Sequence, residues 1–345
     1  MDHIDSTTQS SGYRGRKVLV TGADGFIGSH LVEALVADGA RVTALSLYNS
    51  FDSFGWLDDL TAETLASITR TRVDIRDAGL MRRVLNGQEL VFHLAALIAI
   101  PHSYSAPQSY VETNILGTLN VLEAARENHV RRVVHTSTSE VYGSALTLPI
   151  SELHPLQGQS PYSASKIGAD MMAESFARSF DMPVVILRPF NTYGPRQSER
   201  AIIPTLIRQF LDRNCQIVKV GDTTTVRDFN FVTDTVAAFM AAGDGTKVEF
   251  GRPYNAGSGK MISVADLIEV LEEVMGTGKP VSHEQERMRP GNSEVRALQA
   301  DSRRLFAATG WQPRSTLKQG LACTVDWWRN RLAQGHVRRE STFMS

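Results

Sequence analysis

KVLVTGADGFIGSHLVEAL, residues 17 to 35, decides the fold. A short aliphatic run ends in Gly22, Gly25 and Gly28, spaced GxxGxxG, and an amphipathic segment opens directly behind them. In that order a strand, a tight turn and a helix N-terminus form one device. Any side chain larger than hydrogen would hold the backbone away from a pyrophosphate, while the free amides and the positive end of the helix dipole attract it. Glycines also gather in loops for turn reasons alone. Placed between a first strand and a helix, they predict dinucleotide binding, with Phe26 and Ile27 opening the helix beside them.

From Lys17 onward, short runs rich in Val, Ile and Leu alternate with longer segments of helical period. This is the pattern of an α/β fold, a Rossmann-type doubly wound parallel sheet covered by helices on both faces. Strands are expected at 17–21, 41–46, 68–73, 89–95, 131–137 and 182–188, with helices near 26–38, 77–86, 107–129 and 161–181. After Pro189 the alternation weakens, and helices near 201–213, 263–276 and 317–333 suggest a smaller C-terminal substrate lobe. The expected organisation is a leader at 1–15, a dinucleotide-binding domain at 16–190 with 229–257 packing back on it, a substrate lobe from 191–228 and 258–333, and a tail at 334–345.

The bulk numbers exclude several classes. With 345 residues, 42% hydrophobic and 21% charged, the chain has the composition of a globular protein, and a formal net charge of -1 gives no reason to expect nucleic acid. Any anion site must be local. Cys215 and Cys323 lack CxxC spacing or a nearby histidine cluster, and the nine histidines show no ligand spacing, so neither a disulfide framework nor a metal site is expected. His93 and His135 fall in expected strands and read as core residues. The polar N-terminus lacks an apolar signal region and no long apolar stretch occurs, so a cytoplasmic protein that neither is exported nor spans a membrane is expected.

If the second strand held the ribose of NAD in the usual way, it would end in an acid. Ser46, Leu47, Tyr48 and Asn49 stand there instead, with no clustered arginine for the 2'-phosphate of NADP. NAD is expected, and NADP stays open. Asp74, just past the third strand, has two readings: a partner for the adenine amino group, or a cap for the helix starting near Asp77.

The fifth strand runs into TSTSEVYG (136–143), and PYSASKIGAD follows with Tyr162 and Lys166 four apart, on one helix face. A phenol of ordinary pKa is a poor base at neutral pH, and a neighbouring ammonium together with the oxidised nicotinamide's charge would stabilise its phenolate. Tyr162 could then take a proton from a sugar hydroxyl oriented by Thr138.

TGADGFIGSH, FHLAA (92–96), NILGTLNVLEAA (114–125), TSTSEVYG, YSASK and RPFNTYGPRQ (188–197) resemble the extended short-chain dehydrogenases, over nearly the whole chain from Lys17 to about Leu332. LYNSFDSFGWLD (47–58), HLAALIAIPHSY (93–104) and RDFNFVTDT (227–235) further resemble sugar-nucleotide 4,6-dehydratases of legionaminic acid pathways, which act on an NDP-linked N-acetylglucosamine. The resemblance implies a bound NAD that oxidises carbon 4, loss of water across carbons 5 and 6, and return of hydride to carbon 6. It places Thr138, Tyr162 and Lys166 as the triad and Glu140 as the base at carbon 5. Ser139 falls where many dTDP-glucose dehydratases carry an aspartic acid. It also implies cofactor contacts at Ile75, Leu94, Ala95, Ala96 and Pro189 beside those above, diphosphate contacts at Asn191, Arg227 and Arg289, and a nucleotide sugar, UDP- or GDP-linked, as substrate. NDP-glucuronate decarboxylation and 4-epimerisation are the competing chemistries. A non-enzymatic, cofactor-sensing protein of the same fold is disfavoured by the presence of both Tyr162 and Lys166. On the helix carrying Tyr162, the residues Ile167, Met171, Met172, Ser175 and Phe176 are expected to add apolar surface and predict a homodimer through that helix and its neighbour at 107–129.

Overall fold

A computed structural model of the chain describes residues 12–284 and 295–335. The first half runs β1 (Lys17–Thr21), α1 (Phe26–Ala37), β2 (Arg41–Ser46), α2 (Ala62–Ala66), β3 (Ile68–Arg72), α3 (Ala78–Leu85), β4 (Leu90–His93), α4 (Ile100–Ser105), α5 (Pro107–Tyr110), α6 (Gly117–Glu127), β5 (Arg132–Thr136), α7 (Pro161–Phe180) and β6 (Val184–Pro189). The six expected strands are all present, within two residues at each end. The expected helix at 107–129 is three pieces, because Val111–Leu116 forms a π-helical turn between α5 and α6. That turn brings Asn114 inward, where its amide bonds Leu97 O at 2.9 Å and Ser165 Oγ at 2.9 Å.

The second half runs β7 (Asn191–Tyr193), α8 (Ile202–Leu211), β8 (Val218–Val220), β9 (Val226–Phe231), α9 (Val232–Asp244), β10 (Pro253–Ala256), β11 (Met261–Ser263), α10 (Val264–Met275), β12 (Val281–His283), α11 (Arg303–Thr309) and α12 (Leu317–Ala333). β10 joins the main sheet as a seventh parallel strand, giving the order β10-β6-β5-β4-β1-β2-β3. Four residues led by a proline carry too little pattern to be read as a strand, and a proline is tolerated there because β10 is an edge and Pro253 its first residue. A second sheet, ordered β11-β9-β7, and a β12-β8 pair build the smaller lobe with α8, α10 and α12. Of the segment 229–257, residues up to Phe231 therefore run in the small sheet, while α9 and β10 pack on or join the large one.

The sheet separates two apolar layers. One holds Val18, Val20, Leu31 and Leu35 with Val236 and Phe239 of α9; the other holds Leu19, Val91, Val121 and Val133 with Ala173 and Phe176 of α7. Strand order reverses direction between β1 and β4, whose C-terminal ends diverge to opposite faces. Such a switch point leaves a crevice outside the strand ends.

Candidate active site

A cleft of about 1530 Å³ fills that crevice and continues under the small lobe. Gly22, Gly25, Phe26, Ile27 and Gly28 form its floor beside β1. Gly22 has a φ of 64°, and a Cβ there would lie 2.8 Å from the amide of Ala95; a Cβ at Gly28 would run into the Gly22 carbonyl. Both positions need glycine. The first turn of α1 contains no acid, so nothing in it opposes an anion at the helix end. Thr21 Oγ1 accepts from the amides of Leu94 and Ala95 at 3.1 and 3.0 Å, which lays Leu94, Ala95 and Ala96 along the wall. This cradle fits a dinucleotide.

Ile75 and Pro189 line the same cleft. Asp74 does too, and it does not cap the following helix. Asp77 does that, its Oδ1 accepting from Leu80 N at 2.9 Å, because it directly precedes the first turn. Asp74 is instead gripped by Arg76, with Nε at 3.0 Å and Nη2 at 2.6 Å, and the guanidinium holds its carboxyl below the usual range.

At the centre stand the residues after β5. Thr138 opens a 3-10 turn, Ser139–Tyr142, its hydroxyl accepting from Glu140 N at 3.2 Å. Opposite, Ser160 and Ser163 cap each other at the start of α7, and Pro161 fills the first helical position, so Tyr162 is fixed by the helix end itself. Its ring meets Tyr110 edge to face at 6.3 Å. Only 7% of Tyr162 is exposed, and burial pushes its phenol up. A hydrogen bond with Thr138 opposes that rise, while the Glu140 carboxylate adds to it. Tyr162, Thr138 and Glu140 thus share one space, with Ser139 buried beside them.

Lys166 does not line the cleft. It lies behind Tyr162, 4% exposed, and its Nζ donates to Thr136 O at 2.6 Å. Burial pulls its pKa down to about 8, while Asp170, one turn further along α7, raises it. Asp170 is fully buried and accepts from Ser137 Oγ at 2.8 Å and Arg188 Nη2 at 2.9 Å, with His135 Nε2 at 3.2 Å. The arginine beside it holds Asp170 down near 2. This buried charge joins β5, β6 and α7 beneath Thr138 and Tyr162, and the sequence reading missed it. An acid at i+4 from the lysine was the available signal. His93 is also buried, bonded to Thr21 and Thr118, and burial drives its pKa far below the ordinary value.

Under the small lobe, Asn191 and Arg227 line the cleft, and Arg289 lies outside the described residues. The Asn191 Nδ2 is buried with no protein partner. Arg200, Lys219 and Arg296 also line this end, unforeseen, beside the carboxylate of Asp222, and Lys219 is paired with Glu284 at 2.8 Å. Their positions are set by tertiary packing of loops, which leaves no spacing to read.

The family profile described as GDP-mannose 4,6 dehydratase matches residues 19–324. The chain belongs to that family. It is 34% identical over 320 residues to a dTDP-glucose 4,6-dehydratase of Actinoplanes sp., covering 91% of this chain and 98% of the relative. It is equally 34% identical, over 323 residues, to a UDP-glucose 4-epimerase of Mycolicibacterium smegmatis, covering 91% of this chain and 99% of the relative. Among solved structures, DesIV, the dTDP-glucose 4,6-dehydratase of Streptomyces venezuelae with NAD and TYD bound, superposes with a TM-score of 0.79 at 30% identity, covering 92% of this chain and 98% of the other. MoeE5 in complex with UDP-glucuronic acid and NAD gives 0.78 at 33% identity, covering 91% and 99%. DesIV and MoeE5 are both bound to NAD, and the protein is an NAD-dependent enzyme of this dehydratase and epimerase family; no helix among the described residues is long and apolar enough to cross a membrane.

Proposed function

We propose that the protein is a nucleotide-sugar 4,6-dehydratase acting on UDP- or GDP-N-acetylglucosamine and releasing a 4-keto-6-deoxy sugar. One observation carries the dehydratase reading: the Glu140 carboxylate lines the same cleft as Tyr162, in the turn that Thr138 opens. Oxidation alone, or epimerisation, has no use for that second base.

Bound NAD supplies the hydride acceptor at carbon 4 and the hydride donor at carbon 6. Thr138 orients the carbon 4 hydroxyl and Tyr162 removes its proton, with Lys166 holding positive charge behind the ring. The ketone at carbon 4 then acidifies carbon 5, and Glu140 removes that proton. Ser139 offers a hydroxyl but no acid at neutral pH, so the proton lost with the carbon 6 hydroxyl comes from Glu140. Carbon 5 would then gain a proton from solvent as hydride is returned to carbon 6, and Tyr162 would release to solvent the proton it took from the carbon 4 hydroxyl, so that the net loss is one water. Asn191, with its unpartnered amide, and Arg227, with Arg200, Lys219 and Arg296 around them, suit a diphosphate. Arg289 is assigned the same role from sequence alone.

Incubation with a panel of UDP- and GDP-sugars, read by mass spectrometry, tests this. An N-acetylglucosamine nucleotide is expected to lose the mass of one water. Loss of carbon dioxide from a glucuronate nucleotide, or conversion at unchanged mass, would instead establish the decarboxylase or epimerase chemistry.

We also propose a homodimer through α7 and the helix at 107–127. Phe176 is core and Met172 packs inward, so the surface is not made by those residues. The exposed apolar groups are Met171 and Phe180 on α7, with Val111 and Leu116 on the π turn packed along it. Light scattering at micromolar concentration should give twice the chain mass, and a charge at Met171 (Met171→Glu) should shift it toward monomer; a monomeric parent would refute the proposal.

A further inference from the structure

We infer that Asp24 and Ser46 together recognise the adenosine ribose of the cofactor, and that the Asp24 carboxylate selects NAD against NADP. The inference rests on the cofactor half of the reading above and on none of its sugar chemistry.

The need is created by β2, which ends without the acid that usually receives the ribose hydroxyls. Ser46 occupies that end. It is 2% exposed, it lines the cleft, and its hydroxyl has no hydrogen-bond partner in the protein. A buried hydroxyl left unpaired is costly, and a ligand hydroxyl at that wall would satisfy it.

The missing carboxylate stands one loop away. Asp24 lies between Gly22 and Gly25 and lines the same cleft. Two backbone bonds fix its place: Ala23 N donates to Leu45 O at 3.0 Å, binding the glycine loop to the residue before Ser46, and Trp56 N donates to Asp24 O at 3.0 Å from the other side. Burial pushes the Asp24 carboxyl up, and its own amide and the charge of Arg72 oppose that only in part. Such a group gains from hydroxyl donors and opposes a second anion.

Arg72 sits in register with Ser46 and would be the obvious phosphate partner. It is already committed. Its guanidinium donates to Asp52 at 2.7 Å and to Ser53 O at 3.1 Å, and it lies 4.1 Å over the ring of Phe54, turned into the loop after β2. The cation that does line this part of the cleft, Arg76, is likewise held, its Nη2 2.6 Å from the Asp74 carboxylate, so a 2'-phosphate would meet Asp24 beside two arginines already paired with other carboxylates.

Calorimetric titration of the full chain, stripped of bound nucleotide, with NAD and with NADP reads the preference directly. The parent should favour NAD by about a hundredfold, the scale of a like-charge clash at close range. Asp24→Asn keeps the size and removes the charge; the ratio of NADP to NAD dissociation constants should fall by about tenfold or more, chiefly through tighter NADP. Ser46→Ala should weaken NAD by about fivefold, the loss of one hydrogen bond. Asp24→Ser serves as a second neutral variant should the Asn substitution lower the melting temperature. An unchanged ratio in the neutral variants overturns the role of Asp24, and parent NAD affinity in Ser46→Ala overturns that of Ser46. No sugar enters the experiment, so failure to dehydrate any nucleotide sugar would sink the proposed function and leave this result standing.

Discussion

Glu140→Gln is expected to leave the enzyme able to oxidise its substrate and unable to eliminate water from it. The substitution keeps size and polarity, and the Glu140 amide still bonds Thr138, so the 3-10 turn after β5 should hold. What is lost is the base. Dehydration should fall by about a hundredfold or more, the ordinary scale of general-base catalysis. Hydride transfer precedes that step and should survive, so reduced nicotinamide should accumulate on mixing with substrate and be visible by its absorbance. Removing the carboxylate also removes a charge that pushes the Tyr162 phenol up, so the first oxidation should be no slower than in the parent. Dehydration at the parent rate would show that Glu140 is not the base, and the elimination mechanism would lose its support.

Tyr162→Phe should stop the reaction one step earlier. The ring and its edge-to-face contact with Tyr110 remain, and only the proton acceptor is removed. Nicotinamide reduction in a single turnover should fall by about a thousandfold, while NAD affinity and melting temperature stay near the parent values. The parent's own pH profile carries the complementary test. Lys166, pulled down to about 8 by burial, is charged below that pH and neutral above it. The reduction step should therefore slow as pH rises through about 8, opposite to the behaviour of a step limited by ionising a free phenol. Reduction in Tyr162→Phe within a factor of about ten of the parent would remove Tyr162 from the proton path.

What was legible in the sequence follows from local physics. Glycine spacing, a strand before it and a helix behind it need only neighbours in the chain, and the six strands of the first half were found from the runs of Val, Ile and Leu and the helical segments between them. Tyr162 and Lys166 were visible because a helix puts positions four apart on one face. The same rule does not show where the ammonium bonds: Lys166 reaches the Thr136 carbonyl, a bond made across thirty positions of chain. β10, Pro-Tyr-Asn-Ala, lacks the aliphatic run that marks the equally short β4, and the π turn at 111–116 hides inside an ordinary helical period. Arg200, Lys219 and Arg296 under the small lobe come from the loop before α8, from β8 and from the segment after residue 294, brought together only by packing.

The seventh strand has a consequence for how the molecule is made. β6 ends at Pro189, but its edge partner β10 begins only at Pro253, and α9, which covers the α1 side of the sheet, begins at Val232. A chain leaving the ribosome has therefore completed the segments that carry Thr138, Glu140 and Tyr162 while one strand edge and one apolar face of the sheet are still bare. Unpaired edges and uncovered apolar faces are what nascent chains aggregate through. The stretch of synthesis between residues 190 and 256 is the window in which a holding chaperone matters most for this protein.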